Sequence, residues 1–406
     1  MPAAVPLKPE TDITHRIYAA RALRDFGDGF VAVLLPVYLS VIGLDAFGIG
    51  LAATLALLGS ATMTLAIGLW GARYSQRTLL VLAALLMCAT GVGFAVSSTA
   101  GLILLVAFFG TINPSAGSVS IFVPLEHALL SGAVRDADRT RMFARYSLIG
   151  AMAAAVGALG AGSPELLQAF GLAKLTALQL MFVLYAVLGL LGGALYAGLP
   201  TAGGAAGPSK SHTLGPSKRM VYKLAALFSI DSFAGGFAVQ SLLALWLFHK
   251  FGLSLLAAGV FFFWSSVLAA FSFPVAAWLA RRIGLVNTMV YTHIPSSLCL
   301  IFAAVAPSLE LALALLSIRA ALSQMDVPTR SSYVMAVVTP AERAAAASVT
   351  SVPRSLAASA SPVIAGALYE AGFEAWPFIL CGVLKIFYDL ALLWTCRHVR
   401  PPEEQS

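Results

Sequence analysis

Residues 78–97 read TLLVLAALLMCATGVGFAVS, with no charged side chain among them. A helix that crosses the hydrocarbon core of a bilayer needs about 20 such residues, so the stretch predicts one membrane span. Similar runs recur on both sides of it. They fall at about 17–42, 46–71, 101–126, 142–163 and 174–199, and then at 220–250, 254–280, 286–306, 308–328, 342–371 and 374–397. With 78–97 they make twelve. The runs are continuously apolar rather than alternating, which predicts helices and argues against a β-barrel. Composition agrees. The chain is 59% hydrophobic and 11% charged, with a mean hydropathy of +0.88, whereas a soluble domain carries about 25% charged residues. Twelve spans use most of the 406 residues, so only short loops are expected.

Residues 201–219 (TAGGAAGPSKSHTLGPSKR) break the pattern. Gly, Ala, Ser, Pro and Lys here read as a flexible cytoplasmic linker between an N-terminal bundle at 1–200 and a C-terminal bundle at 220–406. Met1 to Thr14 has no apolar core and does not read as a cleavable signal peptide. Basic residues alternate from loop to loop. Arg73, Arg77, Arg135, Arg139, Arg141, Arg145, Lys210, Lys218, Arg219, Lys223, Arg281, Arg282, Arg330 and Arg343 fall on one side, and only Lys174 and Lys250 on the other. By the positive-inside rule both termini are cytoplasmic, and a bacterial inner membrane is the expected location. The same asymmetry accounts for the net charge of +7 without a nucleic-acid partner. Cys88, Cys299, Cys381 and Cys396 are dispersed in or beside apolar runs and suggest neither a metal site nor a redox pair. There is no phosphate-cradling loop and no nucleophile–base spacing. An enzyme is not expected, nor is a cofactor.

The two halves repeat each other. Gly29-Phe30-Val31-Ala32-Val33 in the first span recurs as Gly236-Phe237-Ala238-Val239-Gln240 in the seventh. Val123-Pro124-Leu125-Glu126 recurs as Val327-Pro328-Thr329-Arg330, and Arg139 follows the first at the spacing at which Arg343 follows the second. Two six-span halves in one orientation form a parallel repeat. On these residues the chain resembles the major facilitator superfamily over nearly its whole length. The loop after the second span, Gly68-Leu69-Trp70-Gly71-Ala72-Arg73-Tyr74-Ser75-Gln76-Arg77, is similar to the family's G-x-x-x-D-x-x-G-R-R motif, with Ala72 in place of the Asp. In the family that Asp helps to lock the halves together. Its absence suggests Glu126 with Arg145, or Glu126 with Arg330, as a substitute gate, alongside Asp326, Arg73 and Arg77. Ser361-Pro362-Val363-Ile364-Ala365-Gly366 resembles the family's antiporter motif, displaced from the fifth span to the eleventh.

Ionisable residues inside spans cost about 2.5–3.5 kcal/mol on insertion scales and mark pathways or pairs. The first span carries Arg21, Arg24, Asp25 and Asp28, and i,i+4 spacing sets Arg21 beside Asp25 and Arg24 beside Asp28. The resemblance implies that spans one, four, seven and ten line a central cavity. Asp28, with Asp25 and Asp231 as lesser candidates, then reads either as a proton-coupling carboxylate or as part of a neutralised structural pair. Arg319 and Arg354 lie midway along their spans with no i,i+4 acid. They need interhelical partners or an anionic ligand. Gln240, Asn113, Tyr38 and Trp246 are further candidates for a substrate surface, and Asn113-Pro114 interrupts the fourth span. Lys385 and Asp389, i,i+4 in the twelfth span, read as a structural pair that neutralises itself. His293 reads as a packed histidine, and His127 as a possible gate.

The function expected is a monomeric secondary transporter. It would move a small amphipathic or anionic molecule by alternating access, with proton-coupled efflux suggested by the antiporter-like run. A nutrient-anion uniporter or importer, and a non-transporting receptor with the same fold, are the alternatives.

Overall fold

The structure, a computed structural model, describes residues 9–115, 120–133, 139–200, 215–339 and 342–396. No strand occurs among them. The helices are α1 (Pro9–Val41), α2 (Ala46–Trp70), α3 (Gln76–Val96), α4 (Ala100–Phe109), α5 (Phe122–Ala133), α6 (Arg139–Gly160), α7 (Ser163–Ala169) and α8 (Lys174–Ala197) in the first half. The second half holds α9 (Lys218–Gly236), α10 (Gln240–Phe251), α11 (Leu255–Ile283), α12 (Leu285–Ala304), α13 (Leu309–Ser323), α14 (Asp326–Ala336), α15 (Arg343–Glu370) and α16 (Trp376–Cys396). A single 3₁₀ turn, Gly71–Arg73, follows α2. Arg135, Lys210 and most of the expected linker lie outside the described residues.

Among the described residues, eight segments are long and apolar enough to cross a membrane: α2, α3, α6–α7, α8, α9–α10, α11, α12 and α16. The other four expected spans are α1, α4–α5, α13–α14 and α15. α4, α5, α13 and α14 are each too short to cross alone, while α1 and α15 carry charges and prolines of the interior. The fourth, seventh and tenth spans are each divided; the break in the fourth is the one expected at Asn113-Pro114, and those in the seventh and tenth were not expected. Pro114, which has no N–H, and Gly110 end α4. Gly235-Gly236 and an extended Val239 separate α9 from α10. α14 carries the tenth span past its expected end at 328. Asp326, Thr329, Arg330, Ser331 and Ser332 make that half polar enough to hide it from hydropathy.

α1 packs on α6 and α8, and α3 on α8. In the second half α9 packs on α15, α12 on α13 and α16, and α11 on α13. The halves meet through α2 with α15, α6 with α11, and α1 with α10 and α11. Helices alternate in direction, so the molecule has a terminal end, where α1 and α9 begin, and a far end. The contacts that join the halves gather at the far end. Gly50 of α2 lies against the backbone of α15, where a Cβ would come 2.4 Å from the Pro362 carbonyl. Gly259 of α11 lies against α6, where a Cβ would come 2.5 Å from the Ala158 carbonyl. Each seam carries a carboxylate that caps a helix of the other half. Glu165 accepts from the Leu255 and Leu256 amides at 2.6 and 3.1 Å, and Glu370 from the Ala46 amide at 3.2 Å. Outward-facing Leu69, Val96, Phe109, Phe271 and Trp394 are exposed, as a lipid-facing surface requires.

Candidate functional site

Two buried charge clusters flank the centre of the molecule. In the first half Arg24 of α1 forks onto Glu126 of α5, Nη1 to Oε1 and Nη2 to Oε2, both at 3.0 Å. Glu126 is fully buried. It also accepts from the Tyr146 and Tyr196 hydroxyls, each at 2.5 Å. Arg21 pairs with Asp25 at 3.0 Å as expected and donates to the Tyr146 hydroxyl at 2.6 Å. Arg24, however, turns away from Asp28. It takes Glu126 and, at 3.3 Å, Asp25. Bidentate geometry with a fully desolvated carboxylate outcompetes the neighbour on its own helix. Asp28 accepts from the Tyr185 hydroxyl at 3.3 Å. The expected pairings of Glu126 with Arg145 or Arg330 are therefore not formed. Arg145 and Arg73 are exposed and Arg77 is half-buried at the terminal end.

In the second half Asp231 of α9 accepts from Arg330 of α14 at 3.0 Å and from Lys385 of α16 at 2.6 Å. Arg330 also meets Asp326 at 3.0 Å. The repeat register that aligns Gly29 with Gly236 aligns Arg24 with Asp231, and the register that aligns Val123 with Val327 aligns Glu126 with Arg330. Both halves thus tie their first and fourth spans together through one ion pair, with the signs exchanged. Arg354 donates to Ser232 at 2.8 Å beside this cluster.

Lys385 and Asp389 do not pair with each other, contrary to expectation. A helix offers i,i+4 neighbours only a weak exposed contact, whereas the interior offers each a buried partner. Asp389 takes His293 of α12, whose Nδ1 lies 3.0 Å from both carboxylate oxygens. Lys385 takes Asp231 and approaches His293 Nε2 at 3.3 Å.

Between the clusters lies a cavity of about 410 Å³. Its wall comes mostly from the second half: Gln240 at the start of α10, Phe261, Phe262 and Ser265 of α11, His293, Ser296 and Ser297 of α12, Arg319 and Gln324 of α13, and Lys385. Ser115, Ala151 and Ala154 come from the first half. The lining contains basic and neutral polar groups and no carboxylate. Arg319 has no ion-pair partner among the described residues, while the Ser265 and Ser297 hydroxyls are buried without a hydrogen bond.

Of the residues singled out in the sequence, Arg319 and Gln240 line this cavity. Tyr38 does not. It is fully buried in the first half, its hydroxyl bonded to the Phe94 and Ser97 carbonyls. Trp246 is likewise packed, edge-on to Phe251 and Phe378. Asn113 is buried and accepts from the Ser115 amide at 3.0 Å, shaping the break in the fourth span. Lys385 and His293 were overlooked as cavity residues. A signal for Lys385 was present: at helical spacing it falls on the stripe of Phe378, Cys381, Tyr388 and Leu392, which are buried.

The Major Facilitator Superfamily model matches residues 17–322 and 224–406. This chain belongs to the major facilitator superfamily. Within reach of this major facilitator by sequence is an uncharacterized membrane protein of Saccharomyces cerevisiae, 25% identical over 412 residues, covering 93% of this chain and 92% of the yeast protein. By fold it is similar to a bacterial homologue of the human lysosomal transporter Spinster in an inward-facing and occupied conformation. The TM-score is 0.75 at 15% identity, covering 96% of this chain and 98% of that one. It is also similar to the nucleoside transporter NupG, with a TM-score of 0.72 at 15% identity, covering 96% and 99%.

Proposed function

We propose that this protein is a secondary carrier that moves a small organic anion across the membrane by alternating access, coupled to protons. One observation carries the reading: an arginine without a carboxylate partner stands in the wall of a cavity between the halves. A buried guanidinium left unpaired is costly, and an anionic ligand supplies what the protein withholds. Phe261, Phe262, Leu300 and Leu316 suit the apolar remainder of such a molecule. The basic loops at the terminal end support cytoplasmic termini, which would set the seams of the far end on the outer side. Of the three candidate acids, Asp25 and Asp231 are each held by two cations, while Asp28 has a tyrosine hydroxyl. Asp28 is therefore the carboxylate of the three best placed to take up a proton. The antiporter-like run at Pro362 forms the seam with α2, and that role carries no sense of direction. The test is flux into proteoliposomes under an imposed pH gradient, with a panel of carboxylates, phosphates and their neutral amides. Anions are carried and the amides are not. Arg319→Gln lowers anion flux about ten- to hundredfold, as loss of a charged hydrogen-bond donor of 1.5–3 kcal/mol requires. Equal flux by wild type and Arg319→Gln overturns the site, and binding without flux points to a receptor instead.

A further inference from the structure

The two long cations of the cavity wall differ in their company. Arg319 has no ion-pair partner among the described residues, whereas Lys385 is held back, its Nζ 2.6 Å from Asp231 and 3.3 Å from His293 Nε2. The partners of His293 fix its tautomer. Nδ1, between the two oxygens of Asp389, carries the proton and donates it, so Nε2 presents a lone pair that accepts from Lys385. The groups that face this imidazole are known from every packed helix. They are Asp389, Lys385 and Tyr388 of α16, Asp231 of α9 on the far side of Lys385, Arg330 and Asp326 of α14 behind Asp231, Arg354 of α15 beside Ser232, and Arg319 of α13, whose carbonyl accepts from Ser296. While His293 is neutral, Asp231, Asp326 and Asp389 balance Lys385, Arg330 and Arg354 one for one, and Arg319 stands as one excess positive charge.

We propose, building on the anion-carrier reading, that Lys385 is a second anion-binding residue, released into the cavity when His293 takes up a proton. A proton from cavity water adds to the Nε2 lone pair. Both ring nitrogens are then donors: Nδ1–H stays on Asp389, and Nε2–H turns to Asp231, whose Oδ1 lies 3.9 Å away. Two cations cannot donate to each other, so the ammonium of Lys385 leaves His293, and the imidazolium Nε2–H competes with it for the same Asp231 Oδ1 and displaces it. It turns to the cavity and joins Arg319 on a carboxylate or phosphate group of the substrate. Ser297, whose buried hydroxyl lacks a partner, donates from the same wall. Protonation of His293 adds a second positive charge to that of Arg319, and the anion offsets this charge. Proton and anion therefore bind each other's state more tightly, and the linkage is reciprocal. They travel in the same direction.

The test uses the full chain in lipid nanodiscs with ¹⁵N-labelled histidines, the His293 signal being assigned through His293→Gln. Sodium sulfate, compared with sodium chloride at equal ionic strength, is the probe. At high pH the ring is the Nδ1–H tautomer. Sulfate raises the midpoint of its titration by about one pH unit, a tenfold linkage, and Lys385→Gln abolishes that rise. An Nε2–H tautomer at high pH, no sulfate effect, or an undiminished effect in Lys385→Gln overturns the proposal. In proteoliposomes, anion affinity strengthens about tenfold from pH 8 to 6, and His293→Gln abolishes that dependence; an undiminished dependence in His293→Gln overturns the proposal. If no anion is carried at all, the carrier reading fails, and the histidine titration still decides the relay.

Discussion

Glu126 shows how one side chain is settled by its surroundings. It is fully buried, forked onto Arg24 and bonded by two tyrosine hydroxyls. Removing one partner of such a pair leaves a desolvated charge, at a cost of about 3–5 kcal/mol. Glu126→Gln is therefore expected to lower the melting temperature of the purified protein sharply. The second half achieves the same tie with an acid on the first of its spans and a base on the fourth. The exchanged double variant Arg24→Glu with Glu126→Arg should then recover much of the loss, the two tyrosine hydroxyls being able to accept as well as donate. A double variant that melts no higher than Glu126→Gln shows that the fork depends on more than charge. At this scale the sequence was legible in part. The spacing of Arg21 and Asp25 gave a true pair. Arg24 with Asp28, and Lys385 with Asp389, obeyed the same spacing and were claimed by partners on other helices. A local rule loses wherever the interior offers a charge that water has already left.

At the scale of elements, α9 and α15 are joined at the terminal end through Glu342. Its carboxylate accepts from the Thr339 and Ser217 hydroxyls at 2.6 and 2.7 Å and from the Gly215 amide. Those hydrogen bonds hold its pKa at about 2, below the ordinary 4.5. A carboxylate depressed in the folded state contributes stability that is fully present above the unfolded value and is lost as pH falls through the folded one. Thermal stability should therefore decline between about pH 4.5 and 2, and Glu342→Gln should flatten that part of the profile. An identical acid limb in the variant removes Glu342 from this role. Elements were legible where burial is uniform. Residues 78–97 became α3 within a few residues. The break in the fourth span was legible at Asn113-Pro114; those in the seventh and tenth were not, because a break in a membrane helix depends on which carbonyls and amides a neighbour can satisfy. The Ser241 amide of α10, bonded to the Pro114 carbonyl at 3.0 Å, is such a case: each break completes the other.

The whole molecule is held shut at its far end by two seams related by the repeat. Glu165 and Glu370 cap helices of the opposite half, and small residues let the backbones touch. Alternating access requires these seams to open. Loss of a cap costs about 0.5–2 kcal/mol, and about 1.4 kcal/mol shifts a two-state equilibrium tenfold. The double variant Glu165→Gln, Glu370→Gln should therefore populate the far-open state. Spin labels at Phe170 and Phe373, both exposed at the far end, should show a longer distance component that grows in the variant. Unchanged distance distributions mean that the glycine seams alone hold this end closed.

By itself the sequence determined that the chain is a helical membrane protein of the major facilitator fold, because a bilayer leaves few ways to satisfy a long apolar backbone. It also marked Arg319 and Gln240 as interior groups. Only the tertiary structure decided which charges meet, that Tyr38 and Trp246 are packing residues, and that Lys385 and His293 reach the cavity. Those outcomes depend on the rotation of each helix about its axis and on partners from distant parts of the chain, and hydropathy is blind to both.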